Sequence, residues 1–135
     1  VPAGGSENPA DNITVDQRMH YFQMNGREVY NTGIKVLPNA INKVLEDTKL
    51  KIEDIDYMVP HQPSIRILEE TAKIIGLPFE KVMTNMDRFA NTSGGTIPIL
   101  MDELNQVGKL KKGDIILFAA VGSGWTWGAS IMKWT

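Results

Sequence analysis

The amino-acid sequence predicts a layered α/β domain, and three observations support this class. Segments whose apolar residues recur at helical spacing alternate along the chain with short apolar runs typical of buried strands. Residues 114–121 are apolar at every position after Asp114, which indicates a strand covered on both faces. Residues 56–59 form a second run that ends at Pro60, because proline donates no ladder hydrogen bond and favours extended backbone before it.

Size, composition and charge are those of an ordinary globular domain. The 135 residues, 42% of them hydrophobic and 22% charged, are enough for one domain with a core. A net charge of −2 and the lack of a basic run argue against nucleic-acid binding. No apolar stretch approaches the roughly 20 residues that span a bilayer, so we expect no membrane segment.

The first residues indicate what kind of chain this is, and the absence of cysteine indicates which chemical groups it lacks. The chain starts at Val1 with the loop-like residues Val-Pro-Ala-Gly-Gly-Ser, and it shows neither an initiator methionine nor a secretory signal. We therefore expect a fragment or a processed chain. Without cysteine, these residues supply no disulfide, no thiolate metal site and no cysteine nucleophile, which fits a cytoplasmic protein.

The first third of the chain predicts an arm followed by a helical region. Residues 1–22 are rich in Gly, Pro, Asn and Asp and predict a loop or arm. A turn is expected at Asn25-Gly26, before an apolar stripe at helical spacing. Because Pro38 lies inside the stripe, the helix either kinks there or gives way to a second helix that begins with proline. The stripe consists of Val29, Ile34, Leu37, Ile41, Val44 and Leu45.

The rest of the chain predicts two more helices, the strand around residue 58 and three strands beyond residue 80. Ser64 is a candidate cap for a helix that Gly76 ends. Pro98 is tolerated because it falls in the first turn of another helix. The remaining segments are expected as a short strand at 82–85, a loop at 86–95, the strand at 114–121, a turn at 122–124 and a final antiparallel strand at 125–134.

Three polar features are expected at one edge of the predicted sheet. His61 follows one strand, Asn91 lies in the loop after the next, and the Gly122-Ser123-Gly124 turn follows the third. In open α/β sheets, ligands bind at the carboxyl ends of the strands. Taken singly, each feature has an ordinary structural interpretation: a hydrogen-bonded histidine, a loop that caps a helix, and a hairpin turn. The tryptophans at 125, 127 and 134 are more typical of a core than of a ligand platform.

Together and in this order, these features resemble the carboxyl-terminal half of β-ketoacyl-[acyl-carrier-protein] synthase III, a condensing enzyme of the thiolase fold. The resemblance runs from about residue 24 to residue 134, and residues 1–6 are similar to the segment that links the two halves of this family. It rests on Pro60-His61-Gln62, Arg66-Ile67, Gly76-Leu77-Pro78, Asn91-Thr92-Ser93, Ile97-Pro98, Gly113-Asp114 and Gly122-Ser123-Gly124-Trp125-Thr126-Trp127-Gly128.

The resemblance implies a domain organisation. Residues 1–22 would be a linker arm from a first half that this sequence lacks. Residues 23–135 would be the carboxyl-terminal domain of a thiolase-like fold, with a mixed β-sheet layered with α-helices.

The resemblance also implies a reaction. The family uses a Cys-His-Asn triad: acyl-CoA primes the cysteine, and malonyl-acyl carrier protein loses carbon dioxide to form the attacking carbanion. His61 and Asn91 match the histidine and the asparagine, whose N–H groups would stabilise the enolate oxygen. The backbone N–H of Ser123 matches a donor of the second oxyanion hole, and Arg66 matches an arginine that meets the acidic acyl carrier protein. The family is typically homodimeric, and no cofactor or metal is implied beyond the two thioester substrates.

The chain departs from the family pattern at three positions. Ser64 stands where the family has an asparagine that helps to hold the pantetheine arm, so Ser64 is a candidate substrate-binding residue of changed character. Ala90 replaces a glycine before Asn91, which narrows the backbone freedom of that loop. Val121 replaces an aromatic residue, which would reshape the acyl pocket.

Two other functions fit the same residues. A thiolase-fold acyltransferase of a secondary pathway would move an acyl group from a thioester to an amine or hydroxyl without decarboxylation; it would keep His61 but would not need Asn91 as an enolate donor. A non-catalytic subunit would scaffold an active partner or bind acyl carrier protein. Because the chain contains no cysteine, we expect no condensing activity from it alone.

Overall fold

The described part of the chain forms a mixed three-stranded sheet with helices on both faces. The computed structural model describes residues 2–135, so Val1, which belongs to the expected linker, lies outside the described residues. The strands are β1 (Tyr57–Pro60), β2 (Ile115–Gly122) and β3 (Thr126–Lys133). The helices are α1 (Asn12–Asp16), α2 (Gly26–Thr48), α3 (Ile65–Ile75), α4 (Met86–Phe89) and α5 (Thr96–Gln106), with 3-10 turns at Ile52–Asp54, Phe79–Lys81 and Ser93–Gly95. The predicted α/β class is confirmed.

β2 is the central strand, and it separates two apolar clusters. It pairs in parallel with β1 and antiparallel with β3, as expected for the final strand. Successive side chains of a strand point to opposite faces, so Leu117 packs with α2 and α3 whereas Ile116 packs with α5. Both side chains are fully buried, in agreement with a strand covered on both faces.

α2 is a single helix of 23 residues that contains Pro38. Pro38 is buried and the helix runs through it, so the interpretation as two helices is wrong. The turn expected at Asn25-Gly26 is also wrong, because the Asn25 side chain caps the helix and accepts a hydrogen bond from the Glu28 N–H at 3.2 Å. Neither α2 nor any other helix in the described residues is long and apolar enough to cross a membrane.

α3 connects β1 to the outer part of the molecule. Ser64 occupies its N-cap position, but the Ser64 side chain makes no capping hydrogen bond. Gly76 ends the helix at φ 75°, a left-handed conformation that glycine adopts without strain. In α5, Pro98 lies in the first turn, where its missing N–H costs no helical hydrogen bond.

Residues 82–95 differ most from the prediction. The strand expected at 82–85 is reduced to a single parallel bridge between Val82 and Met58, beside which the Met83 N–H donates to the Met58 carbonyl at 2.8 Å. The chain leaves the sheet because Asn85 binds Gln62 instead of continuing the ladder, and α4 begins at the next residue. The loop expected at 86–95 therefore contains α4 and a 3-10 turn.

The amino-terminal arm is more ordered than a simple loop. α1 places Thr14 in a buried position, and the Thr14 N–H donates to Asp11 Oδ1 at 2.7 Å. Ala3 is also buried, and its N–H donates to the Met19 carbonyl at 3.1 Å. The arm thus folds partly on itself, with a helix that composition alone did not indicate.

Candidate active site

The carboxyl ends of β1 and β2 meet at one edge of the sheet because the two strands are parallel. His61 directly follows β1, and its backbone N–H donates to the Ala119 carbonyl on β2 at 2.8 Å. A cavity of about 540 Å³ opens at this edge. The residues that line it are His61, Ser93, Gly94, Ile97, Ala120, Val121, Gly122, Thr126, Trp127 and Gly128.

The imidazole of His61 is held from the side of Nδ1. Nδ1 lies 3.2 Å from Thr96 Oγ1, and the Thr96 hydroxyl also lies 2.9 Å from the Ser93 carbonyl oxygen. Thr96 is almost completely buried, so its hydroxyl has little access to water. Burial lowers the pKa of His61 below its usual 6.5, although a hydrogen bond with the Ser93 backbone raises it in part. The ring is therefore neutral at pH 7.

The tautomer of His61 depends on which of two acceptors receives the single hydroxyl hydrogen of Thr96. If this hydrogen goes to the Ser93 carbonyl, Nδ1 carries the imidazole proton and Nε2 is an acceptor. If it goes to Nδ1, the proton lies on Nε2, which then becomes a donor. Thr96 is the one side chain in the described residues that is recorded within hydrogen-bond distance of Nδ1.

Asn91 lies in the exposed segment between α4 and the 3-10 turn at Ser93–Gly95. Its Oδ1 accepts a hydrogen bond from the Ser93 N–H at 2.9 Å, which orients the carboxamide and leaves its two N–H groups available. Ser93 and Gly94 of this segment line the cavity, whereas Asn91 lies outside the lining and makes no recorded contact with His61 in the described residues. The structure therefore brings the loop of Asn91, rather than its side chain, to His61.

The other predicted site residues lie around the same edge. Ser123 is exposed in the turn between β2 and β3, next to Gly122 in the cavity wall. Ser64 is half-buried at the start of α3, and Arg66 is exposed in the first turn of that helix, without an ion pair among the described residues. The expectation that the tryptophans are core residues is wrong for two of them. Trp125, in the turn before β3, is 41% exposed, and Trp127, near the start of β3 in the cavity wall, is 50% exposed.

Comparison with known proteins identifies the family. The family described as "3-Oxoacyl-[acyl-carrier-protein (ACP)] synthase III C terminal" matches residues 45–134. The chain belongs to this family.

Relatives in the synthase III family are similar over nearly the whole chain. The β-ketoacyl-[acyl-carrier-protein] synthase III of Clostridium acetobutylicum is 50% identical over 114 residues, which are 84% of this chain and 35% of the relative. That of Solibacter usitatus is 42% identical over 134 residues, which are 99% of this chain and 40% of the relative. The crystal structure of 3-oxoacyl-[acyl-carrier-protein] synthase III from Aquifex aeolicus superposes with a TM-score of 0.83 at 36% identity, covering 93% of this chain and 39% of that one. The chain thus spans about two fifths of the length of these relatives.

Ala90, the residue directly before Asn91, adopts a strained backbone. Its φ is 55° and its ψ is −149°, close to a region that is essentially restricted to glycine. Ser93, two residues beyond Asn91, also has a positive φ of 53°. The loop that carries Asn91 is therefore bent by residues that do not favour the bend, so the surrounding contacts must hold it.

Sequence reasoning missed the polar residues behind the site of this synthase III domain. Thr96 had no part in the sequence prediction. Gln62, Asn85, Arg88 and Glu103 form a connected set of hydrogen bonds that no periodic pattern indicates. The position of Gln62 next to His61 is the one signal that pointed to this set. Within residues 2–135, no group of three or more His, Asp or Glu side chains is arranged to hold a metal ion.

Proposed function

We propose that this chain is the carboxyl-terminal catalytic part of a 3-oxoacyl-[acyl-carrier-protein] synthase III. The enzyme is an acyltransferase that condenses acyl-CoA with malonyl-acyl carrier protein, with loss of carbon dioxide, in the initiation of fatty acid biosynthesis. The observation that carries the proposal is the cavity at the edge of the sheet, where His61 meets the segment after Asn91 and the wall that leads to Ser123. We infer that these residues correspond to the histidine, the asparagine and the backbone donor of the family pattern.

His61 and Asn91 are proposed to stabilise the enolate that forms when the malonyl thioester loses carbon dioxide. The negative charge develops on the thioester oxygen, so hydrogen-bond donors fixed beforehand lower the barrier. The carboxamide of Asn91 does not titrate and is oriented by the Ser93 N–H, so it donates at any ordinary pH. Removing one donor of this kind costs about 2.7–4 kcal/mol in comparable sites.

Acyl transfer requires parts that lie outside these residues. The nucleophilic cysteine is supplied by another segment, because the sequence contains none. The backbone N–H of Ser123 is proposed to bind the oxyanion of the acylated intermediate. The apolar side chains of Ile97, Val121 and Trp127 form a wall suited to the hydrocarbon part of the acyl group.

The proposal extends to the organisation of the protein. Residues 1–22 serve as the linker from a first half and residues 23–135 as the thiolase-like domain. Arg66 meets acyl carrier protein, Ser64 lies at the pantetheine arm, and the full-length enzyme is a cytoplasmic homodimer that needs no cofactor. The exposure of Arg66 and the half-burial of Ser64 at the start of α3 support these two roles.

The experiment measures both half-reactions in the full-length gene product. Acyl loading is followed by transfer of label from acyl-CoA to protein, and condensation by carbon dioxide released from malonyl-acyl carrier protein. Dependence of carbon dioxide release on both substrates supports the proposal. Acyl transfer to an amine or hydroxyl without carbon dioxide would indicate the acyltransferase alternative, and binding of acyl carrier protein without either reaction would indicate the scaffold.

A further inference from the structure

We propose that Gln62, Asn85, Glu103 and Arg88 form a polar relay that fixes the loop of Asn91 relative to His61. The inference rests on the proposed function, because it assigns positioning residues to the two side chains that act on the enolate. None of the four relay residues lines the cavity, so they act through the backbone that carries His61 and Asn91.

The relay begins next to His61. Gln62 follows it in the chain and is fully buried. The Gln62 carboxamide makes two hydrogen bonds with Asn85: its Oε1 accepts from the Asn85 N–H at 3.0 Å, and its Nε2 donates to Asn85 Oδ1 at 2.9 Å. Asn85 is 2% exposed and lies immediately before α4. The segment after β1 is thereby joined to the start of α4.

The relay continues from Asn85 to Glu103 on α5, and from Glu103 to Arg88 on α4. Asn85 Nδ2 donates to Glu103 Oε2 at 2.6 Å. Arg88 donates to both carboxylate oxygens of Glu103, from one nitrogen to Oε1 and from the other to Oε2 at 3.1 Å. The hydrogen bond from Arg88, followed by that from Asn85, lowers the pKa of Glu103, so the carboxylate is ionised at neutral pH. Arg88 lies three positions before Asn91, so the far end of the relay is anchored at the loop itself.

A backbone N–H group determines which atoms of the relay donate and which accept hydrogen bonds. The Asn85 N–H can only donate, so the atom of Gln62 that meets it must be the oxygen Oε1. The Gln62 amino group must then meet Asn85 Oδ1, which turns the Asn85 amino group towards residue 103. Only an acceptor fits at that position. Glu103 is therefore more than a partner for Arg88, because a cation at position 103 would face the Asn85 amino group.

The loop needs such an anchor. α4 is a single turn of four residues, and the strained Ala90 lies between it and Asn91. Strained backbone persists only where the surrounding structure over-determines it. A displacement of about 1 Å in a catalytic group can cost roughly 10²-fold in rate, so a relaxed loop would remove Asn91 from the enolate while acyl loading by the cysteine continued.

The test exchanges the charges at the exposed end of the relay in the full-length gene product. The variant Arg88→Glu/Glu103→Arg keeps an ion pair but places a donor against Asn85. The control exchanges a surface ion pair on α2, as Lys43→Asp/Asp47→Lys. We expect faster hydrogen exchange in residues 86–93 of the relay variant, and carbon dioxide release slowed roughly 10–100-fold, with acyl loading close to that of wild type. The control should match wild type in every measurement.

The outcomes separate the relay from the proposed function. Unchanged hydrogen exchange in residues 86–93 of the relay variant would overturn the relay. It would show that an ion pair between positions 88 and 103 holds the loop whichever of the two positions carries the positive charge. Equal loss of both half-reactions would overturn its positioning role. Faster exchange with no carbon dioxide release even from wild type would retain the relay as an anchor of the loop and count against the proposed condensation.

Discussion

At the scale of single residues, the hydroxyl of Thr96 governs what Nε2 of His61 can do. With Thr96→Val, Nδ1 loses the one side-chain hydroxyl recorded beside it, so no hydroxyl donor there holds the imidazole proton on Nε2. We expect this variant to slow carbon dioxide release by up to about 10²–10³-fold, as for the loss of one oxyanion donor, with a smaller effect on acyl loading. Thr96→Ser, which keeps the hydroxyl, should retain most of the activity. Similar losses in both variants would instead indicate a packing defect.

His61 also makes stability depend on pH. Its pKa is lowered in the folded protein by burial, so below about pH 6.5 the unfolded chain binds a proton that the folded protein does not. Protons bound by the unfolded state favour unfolding. We therefore expect the free energy of unfolding to decrease as the pH falls from 6.5 towards the folded pKa, and this decrease to be smaller in His61→Gln. Urea unfolding at several pH values measures it, and parallel profiles for the two proteins would contradict it.

The substitution Ala90→Gly is expected to raise the free energy of unfolding, which is unusual for a change from alanine to glycine. Glycine adopts the backbone of Ala90 without strain, whereas alanine there stores about 1–3 kcal/mol. After subtraction of the greater unfolded-state entropy of glycine, we expect Ala90→Gly to raise the free energy of unfolding by about 1 kcal/mol. The matched control Ala40→Gly, inside α2, should lower it by about 0.5–1 kcal/mol. A destabilised Ala90→Gly protein would show that the loop is not strained.

At the scale of the element, α3 presents a cation at the end nearest the site. Arg66 is exposed in its first turn, whereas Lys73 lies in its last turn. We expect Arg66→Glu to raise the KM for malonyl-acyl carrier protein and to weaken its salt dependence, with little change in the KM for acyl-CoA, since rim charges act mainly on association. Lys73→Glu reverses a charge on the same helix and should change neither KM. Equal effects of Arg66→Glu on both substrates would reject carrier docking.

The elements that the sequence predicted well are those with a strong period or a continuous apolar run. β2, α3 and α5 are of this kind, whereas β3 was predicted from its place after the turn at 122–124. Residues 82–85 were misassigned because apolar Val82 and Met83 indicate burial, which they have, but do not indicate how many ladder bonds follow. Asn25-Gly26 was misassigned because the same asparagine oxygen that favours a turn also caps a helix.

The candidate site was predictable where it depends on the order of the strands, and not where it depends on contacts between distant residues. The rule that parallel strands share their carboxyl edge brings His61 close to Gly122, and both line the cavity. The position of Asn91 depends on α4 and on the bond between Gln62 and Asn85, which are 23 positions apart. Such contacts follow from the tertiary packing and leave no local pattern in the sequence.

At the scale of the whole molecule, apolar side chains are exposed in the residues before α2 and near the end of the sheet. Tyr21 is 58% exposed, Phe22 74%, Met24 62% and Trp127 50%. We expect the isolated 135-residue chain to self-associate and to release no carbon dioxide from malonyl-acyl carrier protein. Size-exclusion chromatography with light scattering measures the first property, and Phe22→Ser should reduce association. Robust turnover by the isolated chain would overturn a mechanism that depends on a cysteine.

The pairing of β1 with β2 has a consequence for the order in which the protein is built. The Asp56 carboxylate accepts a hydrogen bond from the Ile115 N–H at 2.8 Å, across 59 positions of the chain. Apart from the single bridge to Val82, β1 has no other strand partner in the described residues. Its ladder therefore cannot form during synthesis until residues beyond 115 have left the ribosome, and pairing over such a distance is slow. His61, whose N–H donates to the Ala119 carbonyl on β2, is therefore fixed in place only after β2 has been synthesised.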